Sequence, residues 1–107
     1  YMKKLKVGSV KELDKFNQFS KWVENHDILV FRYENSIRAF SNICPHFGGP
    51  VGYHEIKKNK EGMDVFTCLW HNLQFDVKSG ICTNTKTLKL REYKVEIENE
   101  DIFVHIN

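Results

Sequence analysis

Two short segments of the sequence each carry one cysteine and one histidine. Cys44 and His46 lie in the segment CPHFGGP, and Cys68 and His71 lie in the segment CLWHNLQF. Thiolates and imidazoles are the side chains that bind zinc or the irons of an iron–sulfur cluster. The four residues together predict a metal site that is built from two separate loops.

The spacing of the four residues bears on the identity of the metal. One residue separates Cys44 from His46, and two residues separate Cys68 from His71. Zinc sites generally take each ligand pair from a segment with two to four residues between the ligands. If the cysteines bind one iron and the histidines another, each segment supplies one ligand to each iron, which explains the mixed pairs. A structural zinc ion in the same four ligands remains the alternative.

The two segments resemble the cluster-binding boxes of Rieske proteins, which hold a [2Fe–2S] cluster with two thiolates on one iron and two imidazoles on the other. The later segments FDVKSGIC and LREYKVEIENEDIFVHI are also similar to the Rieske ferredoxin pattern. The resemblance implies that Cys44 and Cys68 bind the inner iron. It implies that His46 and His71 bind the outer iron, near the surface.

The resemblance also bears on the reduction potential. The high-potential Rieske proteins of respiratory complexes carry a disulfide across the two cluster loops and hydroxyl donors near the cluster sulfurs. This chain has Gly49 and Trp70 at the two cysteine positions, and Phe75 where a tyrosine hydroxyl would point inward. Fewer donors leave the charge of the reduced cluster less stabilised. We therefore expect a low-potential centre of the ferredoxin type.

The elements that must position these residues are mostly strands. The segments ILVFRY and IRAFSN flank the turn ENS and predict a hairpin that leads into Cys44. The segment DVFTC predicts a strand that delivers Cys68, and LQFDVKSGICT predicts a second hairpin. Ile102, Val104 and Ile106 alternate at strand period in a third, C-terminal hairpin. The pattern predicts an all-β fold, a Rieske-like antiparallel β sandwich or barrel with a cluster-binding subdomain of two hairpin loops.

Three features lie outside the predicted strands. Ser9, with Glu12 three residues later, predicts one short helical turn. The polar stretch YHEIKKNKEGMD between the boxes predicts an exposed loop. Asn72 stands where the Rieske pattern usually has glycine, and asparagine tolerates the left-handed backbone conformation better than most residues.

Composition places the chain among ordinary globular proteins. Its 107 residues and 12.7 kDa, 41% apolar and 28% charged, predict a single domain over 1–107 with its cluster-binding part at about 43–83. No apolar run approaches the roughly 20 residues of a membrane span, and Tyr1 precedes Met2, the expected natural start, without a secretory pattern. We therefore expect a soluble, cytoplasmic protein. In that reducing compartment Cys82, the third cysteine, is expected to be a free core residue.

Charge and size narrow the possible functions. The net charge of +2 comes from interspersed charges, which argues against nucleic-acid binding. The resemblance implies a soluble electron carrier with no catalytic residues of its own, which takes electrons from a flavin-containing reductase and delivers them to a terminal oxygenase or similar enzyme. The alternatives are an electron-entry small subunit of an oxygenase or nitrite reductase, and a zinc-binding interaction module.

Overall fold

The computed structural model describes residues 3–45, 48–70 and 72–106 and shows two antiparallel sheets. In chain order the elements are β1 (Lys3–Ser9), α1 (Val10–Lys15), β2 (Gln18–Val23), β3 (His26–Tyr33), β4 (Ser36–Ser41), β5 (Lys57–Lys58), β6 (Asp64–Thr67), β7 (Gln74–Asp76), β8 (Glu92–Glu98) and β9 (Asp101–Ile106). The larger sheet has the order β1-β9-β8-β4-β3-β2 and curls into a nearly closed barrel. The smaller sheet has the order β5-β6-β7. The predicted all-β fold is confirmed. No helix in the described part of the chain has the length and apolar character that crossing a membrane requires.

Strand β3 is covered on both faces, which explains why its apolar residues form an unbroken run. Successive side chains of a strand point to opposite faces. Ile28 and Val30 pack into the barrel core, whereas Leu29 and Phe31 belong to a second core shared with the smaller sheet. The rings of Phe31 and Phe66 meet edge to face, with 5.0 Å between centroids. This second core fixes the smaller sheet against the outside of the barrel.

The structure confirms the three predicted hairpins. Between β3 and β4, Glu34 and Asn35 both have positive φ, as a tight two-residue turn requires. After β7 the chain turns at Gly80, whose φ is 77° and whose N–H donates to the carbonyl of Asp76 (2.7 Å). β8 and β9 turn at 99–100 in the same way as the first hairpin. Two of these hairpins flank the segments that carry the box cysteines.

The segment before β3 agrees with the sequence prediction at first and then departs from it. The predicted helical turn is α1, and the N–H of Ser9 donates to Glu12 Oε1 (3.2 Å). The sequence pattern does not predict β2, because the exposed Ser20 and Lys21 interrupt the alternation of apolar residues. β2 lies at an edge of the barrel sheet, and edge strands commonly carry charged residues such as lysine.

The stretch between the two boxes is largely exposed, as predicted, but it is not a simple loop. Lys57–Lys58 forms β5 and pairs with Val65 and Asp64 of β6. Ile56 packs against the second core. A two-residue strand is too short to produce a periodic pattern, which is why the sequence does not reveal it.

Candidate metal centre

The two box cysteines lie side by side at the base of two neighbouring loops. Cys44 follows β4 by three residues, and Cys68 comes directly after β6. They are only 2% and 1% exposed, and both thiols are free. Both side chains belong to one buried cluster, and Cys44 is near enough to help raise the pKa of the Cys68 thiol. The fold therefore brings together two of the four predicted ligands in a buried position.

The two box histidines lie outside the described residues, as does Phe47. His46 is two residues from Cys44 in sequence, and His71 is three residues from Cys68. Their assignment as ligands stays a prediction. Among the described residues, Cys44 and Cys68 are the only two of the proposed ligands, and no place gathers three or more His, Cys, Asp or Glu side chains that could hold a metal ion.

The first cluster loop, residues 43–50, folds back on itself around its cysteine. The N–H of Cys44 donates to the carbonyl of Gly49, and the N–H of Gly48 donates to the carbonyl of Cys44, both at 2.8 Å. Gly48 has a φ of 78°, a left-handed conformation that glycine adopts without steric cost. These bonds turn the loop tightly beside the thiol.

The second cluster loop, residues 68–73, is closed by one backbone bond across its base. The N–H of Cys68 donates to the carbonyl of Leu73 (2.8 Å). Asn72 has a φ of 52°, the left-handed conformation that asparagine tolerates better than most residues. Asparagine here serves the turn that glycine serves in the Rieske pattern.

The two loops contact each other directly. The N–H of Leu69 points to the carbonyl of Pro50 at 3.3 Å. A Cβ atom added to Gly49 would lie 3.0 Å from Cys68 Sγ and 3.2 Å from the indole ring of Trp70. Contacts that short are rare for real Cβ atoms, so the close approach of the two loops depends on glycine at position 49.

The environment of the thiols favours a positively charged partner. Burial raises the pKa of the Cys68 thiol; a hydrogen bond from the Trp70 backbone opposes that shift, and the neighbouring Cys44 adds to it. Two thiolates side by side in a buried place repel each other unless a cation lies with them. The irons of a [2Fe–2S] cluster supply that charge, and thiolates are their usual ligands. The donor set fits such a cluster.

The third cysteine is placed differently. Cys82 is fully buried in the second core, and its Sγ lies 3.9 Å from Asn84 Oδ1. It pairs with Phe75 in a short bridge of the hairpin that follows β7. Its burial agrees with the expected role as a core residue.

Comparison with known protein families distinguishes an iron–sulfur cluster from a zinc ion at this site. Residues 3–94 match the family model of the Rieske [2Fe-2S] domain, a span that includes both cluster loops. The chain belongs to the Rieske family. A Rieske domain holds one [2Fe–2S] cluster per chain, so this cofactor is favoured over a structural zinc ion.

Two relatives show how far the sequence similarity of this Rieske domain extends. It is 30% identical over 79 residues to the cytochrome b6-f complex iron-sulfur subunit of Chlorobaculum tepidum, with 74% of this chain and 40% of that protein covered. It is 27% identical over 93 residues to the ferredoxin component of the alkene monooxygenase system of Xanthobacter autotrophicus, with 87% of this chain and 69% of that protein covered. The chain thus spans less than half of the first relative and about two thirds of the second.

The structural similarity covers the whole Rieske domain. A Mycobacterium tuberculosis protein assigned as the small subunit of an NADH-dependent nitrite reductase superposes with a TM-score of 0.79, at 14% identity. The match covers 100% of this chain and 97% of the other. At this identity the match shows a shared fold.

Sequence patterns give no signal for Asn42, a buried polar residue beside the site. Asn42 is 5% exposed and precedes Cys44 by two residues. A lone asparagine at the end of a strand carries no periodic or motif signal. Its partners lie 15 and 10 residues away, at Asp27 and Gly52, so only the fold reveals them.

Proposed function

We propose that this Rieske domain is an electron carrier that accepts single electrons from a reductase and passes them to an enzyme partner. The observation that carries the proposal is the pair of buried, adjoining thiols of Cys44 and Cys68, held by two interlocked loops within a chain of the Rieske family. The bound [2Fe–2S] cluster supplies one-electron chemistry. The chain supplies the fixed, dry position of its thiolate ligands.

The proposed ligand set divides the cluster between the interior and the surface. Cys44 and Cys68 would hold the inner iron, and His46 and His71 the outer iron. Trp70, the residue before His71, is 52% exposed, whereas Cys68 is almost fully buried. The second loop thus runs from the core to the surface within three residues. An outer iron bound near its tip would be within reach of a docked partner.

The proposed partners follow from the relatives. The Xanthobacter relative is named as the ferredoxin component of an alkene monooxygenase system. We propose a terminal oxygenase or a similar redox enzyme as the acceptor and a flavin-containing reductase as the donor. Catalysis would belong to the acceptor, and this chain would work in the cytoplasm.

We also propose a reduction potential in the lower part of the Rieske range. The backbone of Gly49 faces the indole ring of Trp70, and neither position offers a thiol for a disulfide across the loops. Phe75 is fully buried and has no hydroxyl to donate to a sulfur. The midpoint is therefore expected nearer to −150 mV than to +300 mV, the approximate limits of Rieske centres.

The first experiment is to measure iron, acid-labile sulfide and zinc on protein purified anaerobically, with an electron paramagnetic resonance spectrum after dithionite reduction and a redox titration. We expect two irons and two sulfides per chain and an average g value below that of all-cysteine clusters. One zinc ion per chain and no colour would refute the electron-carrier function. A midpoint near the top of the range would refute the low-potential assignment alone.

A matched pair of variants tests the ligand assignment. His71→Ala should abolish the mixed-ligand spectrum, because the outer iron loses a neutral nitrogen donor. His54→Ala, at an exposed position outside both loops, should leave the spectrum unchanged. An unchanged spectrum in the His71 variant would remove that residue from the ligand set. Co-purification with a large catalytic subunit would favour the subunit role over a free ferredoxin.

A further inference from the structure

Asn42 uses all of its backbone and side-chain hydrogen-bonding groups at the base of the first cluster loop. Its N–H donates to the carbonyl of Asp27 (2.9 Å), and its carbonyl accepts from the N–H of Val51 (2.9 Å). Its side-chain Oδ1 accepts from the N–H of Gly52 (2.7 Å). Its Nδ2 donates to Asp27 Oδ2 (3.1 Å). The residue at the entry of the loop thus holds the residues at its exit.

These bonds also join the loop to the barrel. Asp27 is the second residue of β3, a strand of the larger sheet that is paired on both sides, with β2 and with β4. Its backbone and its carboxylate both bind Asn42, and the carboxylate makes a charge-assisted hydrogen bond, which is stronger than a neutral one. The entry and the exit of the first loop are therefore fixed relative to a rigid strand.

The fixed exit determines how the first loop meets the second. Pro50 and Gly49 come directly before the residues that Asn42 holds. The carbonyl of Pro50 receives the N–H of Leu69, and Gly49 lies against Cys68 Sγ. A shift at the exit of the first loop would move both of these contacts. The bonds of Asn42 thus act on the same segment that contacts the second loop.

We propose that Asn42, through its pairing with Asp27, is a positioning residue that sets the placement of the two thiols and so controls how firmly the cluster is held. The cluster part of this inference rests on the proposed function, whereas the loop geometry does not. A residue that merely filled space would need no polar side chain, since a buried polar group costs free energy unless its partners are present.

The pairing allows a swap experiment. Asn42→Asp keeps an acceptor for Gly52 but brings two carboxylates face to face, which removes a hydrogen bond and adds repulsion. The double variant Asp27→Asn with Asn42→Asp restores one donor and one carboxylate in exchanged positions. Asn59→Asp is the matched control, because Asn59 Oδ1 also accepts from backbone N–H groups, those of Glu61 and Met63 at 3.0 Å, in a turn outside both loops.

The first readout is the rate at which an iron chelator bleaches the visible absorbance of the loaded protein. We expect Asn42→Asp to bleach about tenfold faster or more, the effect of losing a charge-assisted buried hydrogen bond. The double variant should return to within about threefold of the parent protein, because its hydrogen-bond set is complete again. Asn59→Asp should stay within about twofold, because the one bond that it loses, from Asn59 Nδ2 to Gln74 Oε1, is long (3.5 Å) and lies outside both loops. Asp27→Asn alone, which keeps an acceptor for Asn42, should have an intermediate effect.

The second readout is amide hydrogen exchange on the same proteins, which needs no cluster. Asn42→Asp should speed exchange in peptides that contain residues 42–52 and leave β8 and β9 unchanged. Three outcomes would overturn the proposal. They are faster exchange throughout the barrel, equal bleaching rates of Asn42→Asp and Asn59→Asp, and a double variant that bleaches as fast as Asn42→Asp. If Asn42→Asp fails to fold but the double variant folds, the result supports the pairing of Asn42 with Asp27. If the parent protein binds no iron, exchange alone still decides the loop geometry.

Discussion

At the scale of single residues, the role of a buried thiol is decided by its neighbours. Cys44 and Cys68 face each other at the contact of the two cluster loops, whereas Cys82 is equally buried but faces Asn84 and the core of the smaller sheet. Burial alone therefore does not distinguish a ligand from a core residue. The distinction rests on whether a second thiol lies beside the first.

Replacing the thiol of Cys82 tests this distinction. Cys82→Ala should keep the full iron and sulfide content, while the free energy of unfolding falls by about 1 kcal/mol because a small cavity opens in the core. The measurements are metal content per chain and denaturant unfolding. Cys68→Ala is the matched change at a proposed ligand and should remove the cluster. Loss of iron from the Cys82 variant would show that this residue takes part in the site.

At the scale of elements, a polar contact joins the barrel to the smaller sheet. The hydroxyl of Tyr33 at the end of β3 donates to Asp64 Oδ2 at the start of β6 (2.5 Å), and Lys58 Nζ lies 3.2 Å from the other oxygen. The hydrogen bond from Tyr33, followed by that from Lys58, lowers the pKa of Asp64 below its ordinary value of 3.8. The same bond, with burial, raises the pKa of Tyr33 to about 12.

The signs of these shifts define a pH window for the contact. The depressed pKa of Asp64 means that its contribution to stability is present above pH 3.8 and is lost as the pH falls through the folded-state value. The raised pKa of Tyr33 means that its contribution is present below pH 10.0 and is lost as the pH rises toward about 12. The contact between β3 and β6 is therefore strongest near neutral pH.

Removing the Tyr33 hydroxyl should reveal the acid limit of that window. Tyr33→Phe should lower the thermal unfolding midpoint at neutral pH. The gap to the parent protein should shrink as the pH falls from 3.8 through the lower folded-state pKa of Asp64, where its carboxylate becomes protonated. Tyr53→Phe, at a 63% exposed side chain, is the control and should show no pH-dependent gap. A gap for Tyr33→Phe that stays constant into acid would contradict the role of the Asp64 carboxylate.

Elements were predictable where the signal is local. The hairpins β3–β4 and β8–β9 each combine apolar strand residues with turn residues within about fifteen positions, so their signal is local. Strand β2 was missed because its pairing with β3, rather than its own polar sequence, makes it a strand. The four proposed ligands follow from residue type and spacing, and their assignment stays a prediction. The adjacency of the two thiols and the bonds of Asn42 depend on distant residues, and only the folded chain shows them.

At the scale of the whole molecule, the position of charge matters more than its net value of +2. A cleft of about 300 Å³ beside the first cluster loop is lined by Ile43 and Pro45 of that loop and by Lys89 and Arg91. Asp27 also lines it, but its carboxylate is bound by Asn42. The two cations create a positive potential next to the proposed site of electron exit. Such a potential favours the approach of an acidic partner.

Small redox probes of opposite charge test this effect without the natural partner. At low ionic strength Lys89→Glu should slow oxidation of the reduced protein by anionic ferricyanide several-fold and speed oxidation by a cationic cobalt(III) complex, because steering follows the local potential. Both effects should fade near 1 M salt, where the Debye length falls to about 3 Å. Lys11→Glu is the matched charge reversal, since Lys11 lies near Glu100, in the turn at the end of the barrel away from Arg91. Equal changes in the two variants, measured by stopped-flow absorbance, would mean that net charge alone governs the rate. A change confined to Lys89→Glu would place the electron's exit beside the first cluster loop.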